Sequence, residues 1–126
     1  MTDHGQAASQ NATGFPANVF QFESWLSLVP LIHGSASYAL RLRKWLLETQ
    51  LDGLAIPLPE SFREAVLEGV GALPAVSVVV QVESSDLDDG ESKSGTYVPI
   101  DPCQGVIAAI RFAMGEQIPI EWVDPE

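Results

Sequence analysis

The sequence predicts an α/β fold, a three-layer sandwich with a mostly parallel sheet built from βαβ units. Three observations predict it. Short apolar runs of strand length alternate with segments whose apolar residues recur at helical spacing. Pro, Gly and Asp punctuate the boundaries between them. One run, Val76-Ser77-Val78-Val79-Val80-Gln81-Val82, is dominated by β-branched residues, which suits a central strand. Alternation of this kind gives right-handed crossovers and parallel neighbours covered by helices.

Residues 1–18 are rich in Gln, Ala, Ser, Asn and Gly and hold little apolar surface beyond Phe15, so a disordered tail is expected there. Residues 19–126 are expected to form a single α/β domain, complete or the first half of a larger fold. Phe20, Phe22, Trp25, Leu26, Leu28, Val29, Leu31 and Ile32 are dense enough for a strand buried on both faces, placed over Trp25 to Ile32 and disturbed at Pro30. His33-Gly34-Ser35 then turns the chain into a helix over Ser35 to Thr49, along which Ala39, Leu40, Leu42, Trp45, Leu46 and Leu47 recur at helical spacing. Leu54 to Leu58 reads as the second strand. Pro59-Glu60-Ser61 opens a helix that Pro74 stops. Val76 to Val82 follows, and Tyr97 to Ile100 is a further extended piece. Asp101 at an N-cap with Pro102 behind it starts the third helix, which closes at Gly115 before a last strand over Ile118 to Val123.

Charge narrows the function. Six Lys and Arg against seventeen Asp and Glu leave a formal charge of −11, which repels nucleic-acid backbones and anionic membranes. Cys103 is the only cysteine, so an internal disulfide and a cysteine-built zinc site are excluded. The N-terminus carries no secretory pattern and no apolar run is long enough to span a bilayer, which predicts a cytoplasmic protein. Asn11-Ala12-Thr13 then matches a glycosylation acceptor by chance.

In an open α/β sheet the ligand crevice lies beyond the carboxyl ends of the strands, which puts His33, Pro57 to Pro59, Glu83, Asp101 and Asp124 on one rim. His33 has the chemistry of a metal ligand or base, and Asp124 has no local structural explanation. These two are the catalytic and metal-ligand candidates. Ser35, Ser37 and Asp101 are the ligand-binding candidates, although capping accounts equally well for the two serines, and for Asp101 the following Pro102 favours a helix cap over a site role. No cofactor is established by these residues, and a divalent metal is the one candidate. The stretch Asp86-Leu87-Asp88-Asp89-Gly90-Glu91 fails as a calcium loop, because its glycine falls one position early and Tyr97 stands where the bidentate Glu belongs. Arg41, Arg43 and Lys44 concentrate half of the basic residues on one helix segment, suited to an acidic partner or to a solvated face.

The segment "LVPLIHGSASYALRLRKWLLETQLDGLAIPLPE", Leu28 to Glu60, resembles the N-terminal half of the TraB, PrgY and ChaN-like superfamily, and "YVPIDPCQGVIAAIRFAMGEQIPIEWVDPE" extends the similarity. The resemblance is greatest to an uncharacterised bacterial branch associated with MoxR ATPases and von Willebrand factor A proteins. It matches His33 to a histidine turn, Pro59 to a rim proline and Asp124 to a terminal acid, and it implies a metal-dependent hydrolase or peptidase ancestry. Two positions depart from it. Pro30 replaces a glycine, and Pro57 stands where a glutamate is usual, which removes a ligand from the implied metal site. The expectation is a non-catalytic interaction or scaffold module of a bacterial multi-protein system, degenerate relative to that superfamily. It would work with a protein partner or as a homo-oligomer, because half of a parallel sheet leaves an exposed edge. The alternative is a metal-dependent hydrolase with a His33 and Asp124 rim site, and the sequence leaves open whether the chain is an enzyme.

Overall fold

In a computed structural model, residues 19–82 and 95–126 are described. The chain divides into two compact units at Pro30 and Leu31. The expected tail lies outside the described residues.

In the first unit, β1 (Phe20–Phe22) pairs antiparallel with β2 (Leu26–Leu28), Phe20 opposite Leu28 and Phe22 opposite Leu26. The expected buried strand over Trp25 to Ile32 is therefore corrected to a hairpin. Glu23, in the left-handed region at φ 53°, reverses the chain, and no strand continues through Pro30. Trp25 is 77% exposed, so this run packs on neither face as a core strand would.

The second unit contains α1 (Ala36–Glu48), β3 (Leu54–Pro59), a single 3-10 turn over Glu60–Phe62, α2 (Arg63–Gly71), β4 (Ser77–Val82), β5 (Gly95–Ile100), α3 (Gly105–Glu116) and β6 (Ile120–Asp124). Helix and strand segments sit close to where apolar spacing predicts them. Their pairing differs from the prediction. β3 runs parallel to β6, with Leu54 opposite Ile120 and Ile56 opposite Trp122, while β4 and β5 form an antiparallel pair with Val80 opposite Tyr97. The prolines explain part of this: Pro57 and Pro59 donate no ladder hydrogen bond, and the register of β3 against β6 shifts between Ile56 and Pro59.

A mostly parallel sheet and a three-layer sandwich are not what the described strands form. One of the three pairs is parallel; in β5 the buried Val98 and Ile100 flank the half-buried Pro99, and in β6 the buried Trp122 lies between the exposed Glu121 and Val123, which marks sheets covered on one face. The Val76 to Val82 run, expected to be central, belongs to a two-stranded sheet. Val78, Val80 and Val82 project to the exposed side, and only Val79 is packed against the core. β-branched composition favours a strand without fixing whether a second layer covers it.

The core joins both sheets of this unit. Ile56 of β3, Phe62, Val66 and Val70 around α2, Val98 and Ile100 of β5, Ile107 and Ile110 of α3 and Trp122 of β6 form one buried cluster. Two glycines permit close approach. A Cβ on Gly69 would meet Ile100 Cγ1 at 3.1 Å and Ser77 Oγ at 3.2 Å, so α2 lies tight on the β4–β5 pair. A Cβ on Gly105 would lie 3.0 Å from the Leu31 side chain.

The third helix begins later than predicted. Its N-cap is Gln104 rather than Asp101, because residues 101–104 form a turn in which Asp101 Oδ1 accepts the Cys103 N–H at 2.7 Å. It also ends one residue later, at Glu116, and the C-cap Gln117, with φ of 57°, lets the Ile118 N–H reach the Ala113 carbonyl at 2.9 Å.

Two stability measurements follow from this packing. Ile110 is fully buried, so Ile110→Ala is expected to lower unfolding free energy by about 2–5 kcal/mol in urea titration. Gln117→Gly relieves a side chain held in the left-handed region and is expected to raise it by up to about 1 kcal/mol; a loss of stability would show that the Gln117 side chain contributes more than its backbone costs.

Candidate functional site

The sequence assigns its candidate residues to one rim, and the structure gives each a definite neighbourhood. His33 is exposed in the turn that precedes α1. The next residue, Gly34, donates its N–H to Gln104 Oε1 at 3.0 Å, so the side chain that begins α3 also holds the entry to α1. Ser35 is the N-cap residue of α1 but makes no side-chain cap bond; its Oγ lies 3.2 Å from Ser37 Oγ. Asp101 is occupied by the turn it closes. Asp124 is exposed at the end of β6, opposite Pro59 of β3, which places the predicted rim proline and terminal acid together at the carboxyl end of the parallel pair. Glu83 and the acidic stretch Asp86 to Glu91 lie outside the described residues.

No three or more His, Cys, Asp or Glu side chains among the described residues are grouped so that they could hold a metal ion. His33, Asp101 and Asp124 thus do not converge on a common centre of that size. The rim instead holds a polar cluster that sequence reading passes over. Ser61 donates its backbone N–H to Glu126 Oε1 at 2.8 Å and its hydroxyl to Gln81 Oε1 at 3.3 Å. Arg63 grips Glu60 through an ion pair at Nε and a hydrogen bond from Nη2 of 3.0 Å, and its guanidinium carbon stands 5.7 Å from the centroid of the Trp122 ring. The bonded Glu60 carboxylate raises the Arg63 pKa above its ordinary value; burial opposes this, and the charges of Glu60 and Glu121 add to it. Arg63 is a cation already neutralised by its neighbour and stacked on an aromatic ring. The Glu60 to Arg63 spacing of one helical turn makes this pair legible in the sequence, whereas the Gly34 to Gln104 bond joins residues 70 apart and leaves no local signal.

The largest functional signal is apolar. On the outward side of the β4–β5 pair, Val78, Val80 and Val82 line up with Tyr97 on the opposite strand, and Val76, just before β4, is exposed as well. Each of these five side chains is more than half exposed. A contiguous row of this kind, as opposed to single scattered apolar residues, marks a surface that another layer covers. The period-2 alternation that puts it there is visible in the sequence, but alternation alone does not say which set of valines faces the core.

Among the described residues no helix is long and apolar enough to cross a membrane. Compared with known proteins, the chain matches no family model, no curated protein and no solved structure.

The placement of His33 sets a direct test. In a thermal-unfolding panel with zinc, manganese and magnesium, wild type and His33→Ala are expected to respond alike to each ion, since a site built on His33 would stabilise the wild type alone by mass action.

Proposed function

We propose that this chain is a non-catalytic interaction or scaffold module of a bacterial multi-protein system, degenerate relative to the hydrolase-like TraB, PrgY and ChaN superfamily that its sequence resembles, and that it acts in the cytoplasm. One observation carries the reading: the exposed row formed by Val76, Val78, Val80, Val82 and Tyr97 on a sheet whose other face is already packed. Leaving such a row in water forgoes about 25 cal/mol for every Å² of apolar surface that an associating chain would cover. In this reading the three-layer sandwich is completed by association, the second chain supplying the layer that β4 and β5 lack.

The departures from the superfamily agree with loss of chemistry. Pro57 occupies the position of the usual glutamate, and in β3 it is an exposed residue with no ionisable group. The metal-dependent hydrolase reading on His33 and Asp124 gains no support from their positions, and the ion panel decides it.

Sedimentation equilibrium tests the interaction reading. Wild type is expected to self-associate with rising concentration, and Val80→Lys, which places a charge in the middle of the row without touching the core, is expected to remain monomeric. A wild type that stays monomeric at high concentration would overturn the role given to this face.

A further inference from the structure

We propose that the groove between α1 and α3 is a docking site for an acidic amphipathic helix of a partner protein. The inference rests on the reading of the chain as an interaction module and adds to it a second surface and the chemistry of what occupies it.

The groove exists because the two helices start together and run side by side. The Gly34 N–H bond to Gln104 Oε1 ties the entry of α1 to the N-cap of α3, and the helices pack on each other from there. α1 turns Ala39, Leu42 and Leu46 inward, which leaves Leu40, Arg43 and Leu47 as an outward stripe one and two turns apart. α3 contributes Ile107, Arg111 and Phe112 to the opposite wall. The resulting cavity has a volume of about 440 Å³. Leu40 and Leu47 are 68% and 61% exposed, so its apolar wall faces water.

Length and charge identify the occupant. Leu40 and Leu47 are separated by two helical turns, roughly 10 Å, which matches apolar anchors at i, i+3 or i+4 and i+7 of a helix laid in a groove. The chain carries six basic residues against a formal charge of −11. Of the basic residues described, Arg63 is paired with Glu60, while Arg41, Arg43, Lys44 and Arg111 stand on these two helices with no ion pair among the described residues. Arg43 and Arg111 line the groove itself, and Glu116 is the one carboxylate that does. The groove is therefore the place on an acidic protein where a carboxylate-bearing partner meets uncompensated positive charge. Repulsion from the remaining surface is screened beyond about 10 Å at 0.1 M salt, so contacts within the groove dominate. A basic helix would forfeit these pairs, and a fully apolar one would leave both guanidinium groups without partners.

Fluorescence polarisation with three labelled helical peptides of about four turns tests the proposal. All three carry leucines at i, i+3 or i+4 and i+7, and they differ only in bearing Glu, Gln or Lys at the flanking positions. The Glu peptide is expected to bind wild type saturably, more tightly than the Gln peptide, with affinity falling as salt rises. In the double variant Arg43→Glu with Arg111→Glu, binding of the Glu peptide is expected to fall at least about tenfold and the Lys peptide to bind in its place. Both arginines are exposed, so the fold tolerates the change, and a second double variant with Gln at both positions, expected to weaken the Glu peptide without recruiting the Lys peptide, checks it. Equal binding of Glu and Lys peptides to wild type, or undiminished binding of the Glu peptide to the charge-reversed variant, would overturn the proposal. So would exclusive binding of a fatty carboxylate such as dodecanoate. Val80→Lys is expected to bind the Glu peptide like wild type, which separates failure of this site from failure of the β4–β5 face.

Discussion

The second unit is organised around α3, which has to satisfy three neighbours at once. Ile107 and Ile110 enter the core shared by both sheets, and the same helix packs against α1 and α2. Gly105, Ala109 and Ala113, also buried, recur every fourth residue and keep one ridge of the helix thin. The Gln104 side chain then ties the start of α1 to the start of α3. A helix held on several sides is expensive to displace, since its large side chains cannot leave the core without opening cavities. The neighbouring pieces inherit their positions from it: β6 follows α3 directly after the left-handed Gln117, and β3 takes its register from β6.

That arrangement leaves the sheets covered on one side only. Each inward position along β5 and β6 is matched by an outward neighbour, and in the β4–β5 pair the outward neighbours are apolar. The electrostatic picture is similarly divided. Carboxylates dominate the sequence, yet the basic residues of α1 and α3 fall together beside an apolar groove. An apolar β-face and a cationic helical groove are different kinds of surface, and they suit different partners. The Arg63, Glu60 and Trp122 cluster at the end of the parallel pair reads as structural, because its charge is balanced within one turn and its guanidinium is already engaged.

Much of the secondary structure was legible in the residues. α1 forms where its helical spacing places it, although of the six apolar residues read along it Ala39, Leu42 and Leu46 are buried while Leu40 and Leu47 are exposed; Pro74 follows the end of α2, and the β-branched run from Val76 to Val82 forms a strand over Ser77–Val82. Local chemistry misled in three places. Asp101 with Pro102 has the form of a helix start, but its carboxylate closes a turn one step earlier. The apolar residues from Phe20 to Ile32 were dense enough for one strand, but a reversal at Glu23 divides them. The valines of β4 suggested a central strand, but β4 pairs with β5 alone and Val78, Val80 and Val82 are exposed.

By itself, the sequence determined roughly where the helices and strands of the second unit form and that the molecule is strongly acidic, because propensity, periodicity and charge are properties of neighbouring residues. Only the tertiary structure decided that β3 pairs with β6, that Gln104 rather than Asp101 caps α3, that one face of the β4–β5 pair is left bare, and that Arg43 and Arg111 share a groove. Each of those outcomes depends on contacts between residues far apart in the chain, where the balance is set by what fills the core most completely and not by any local preference.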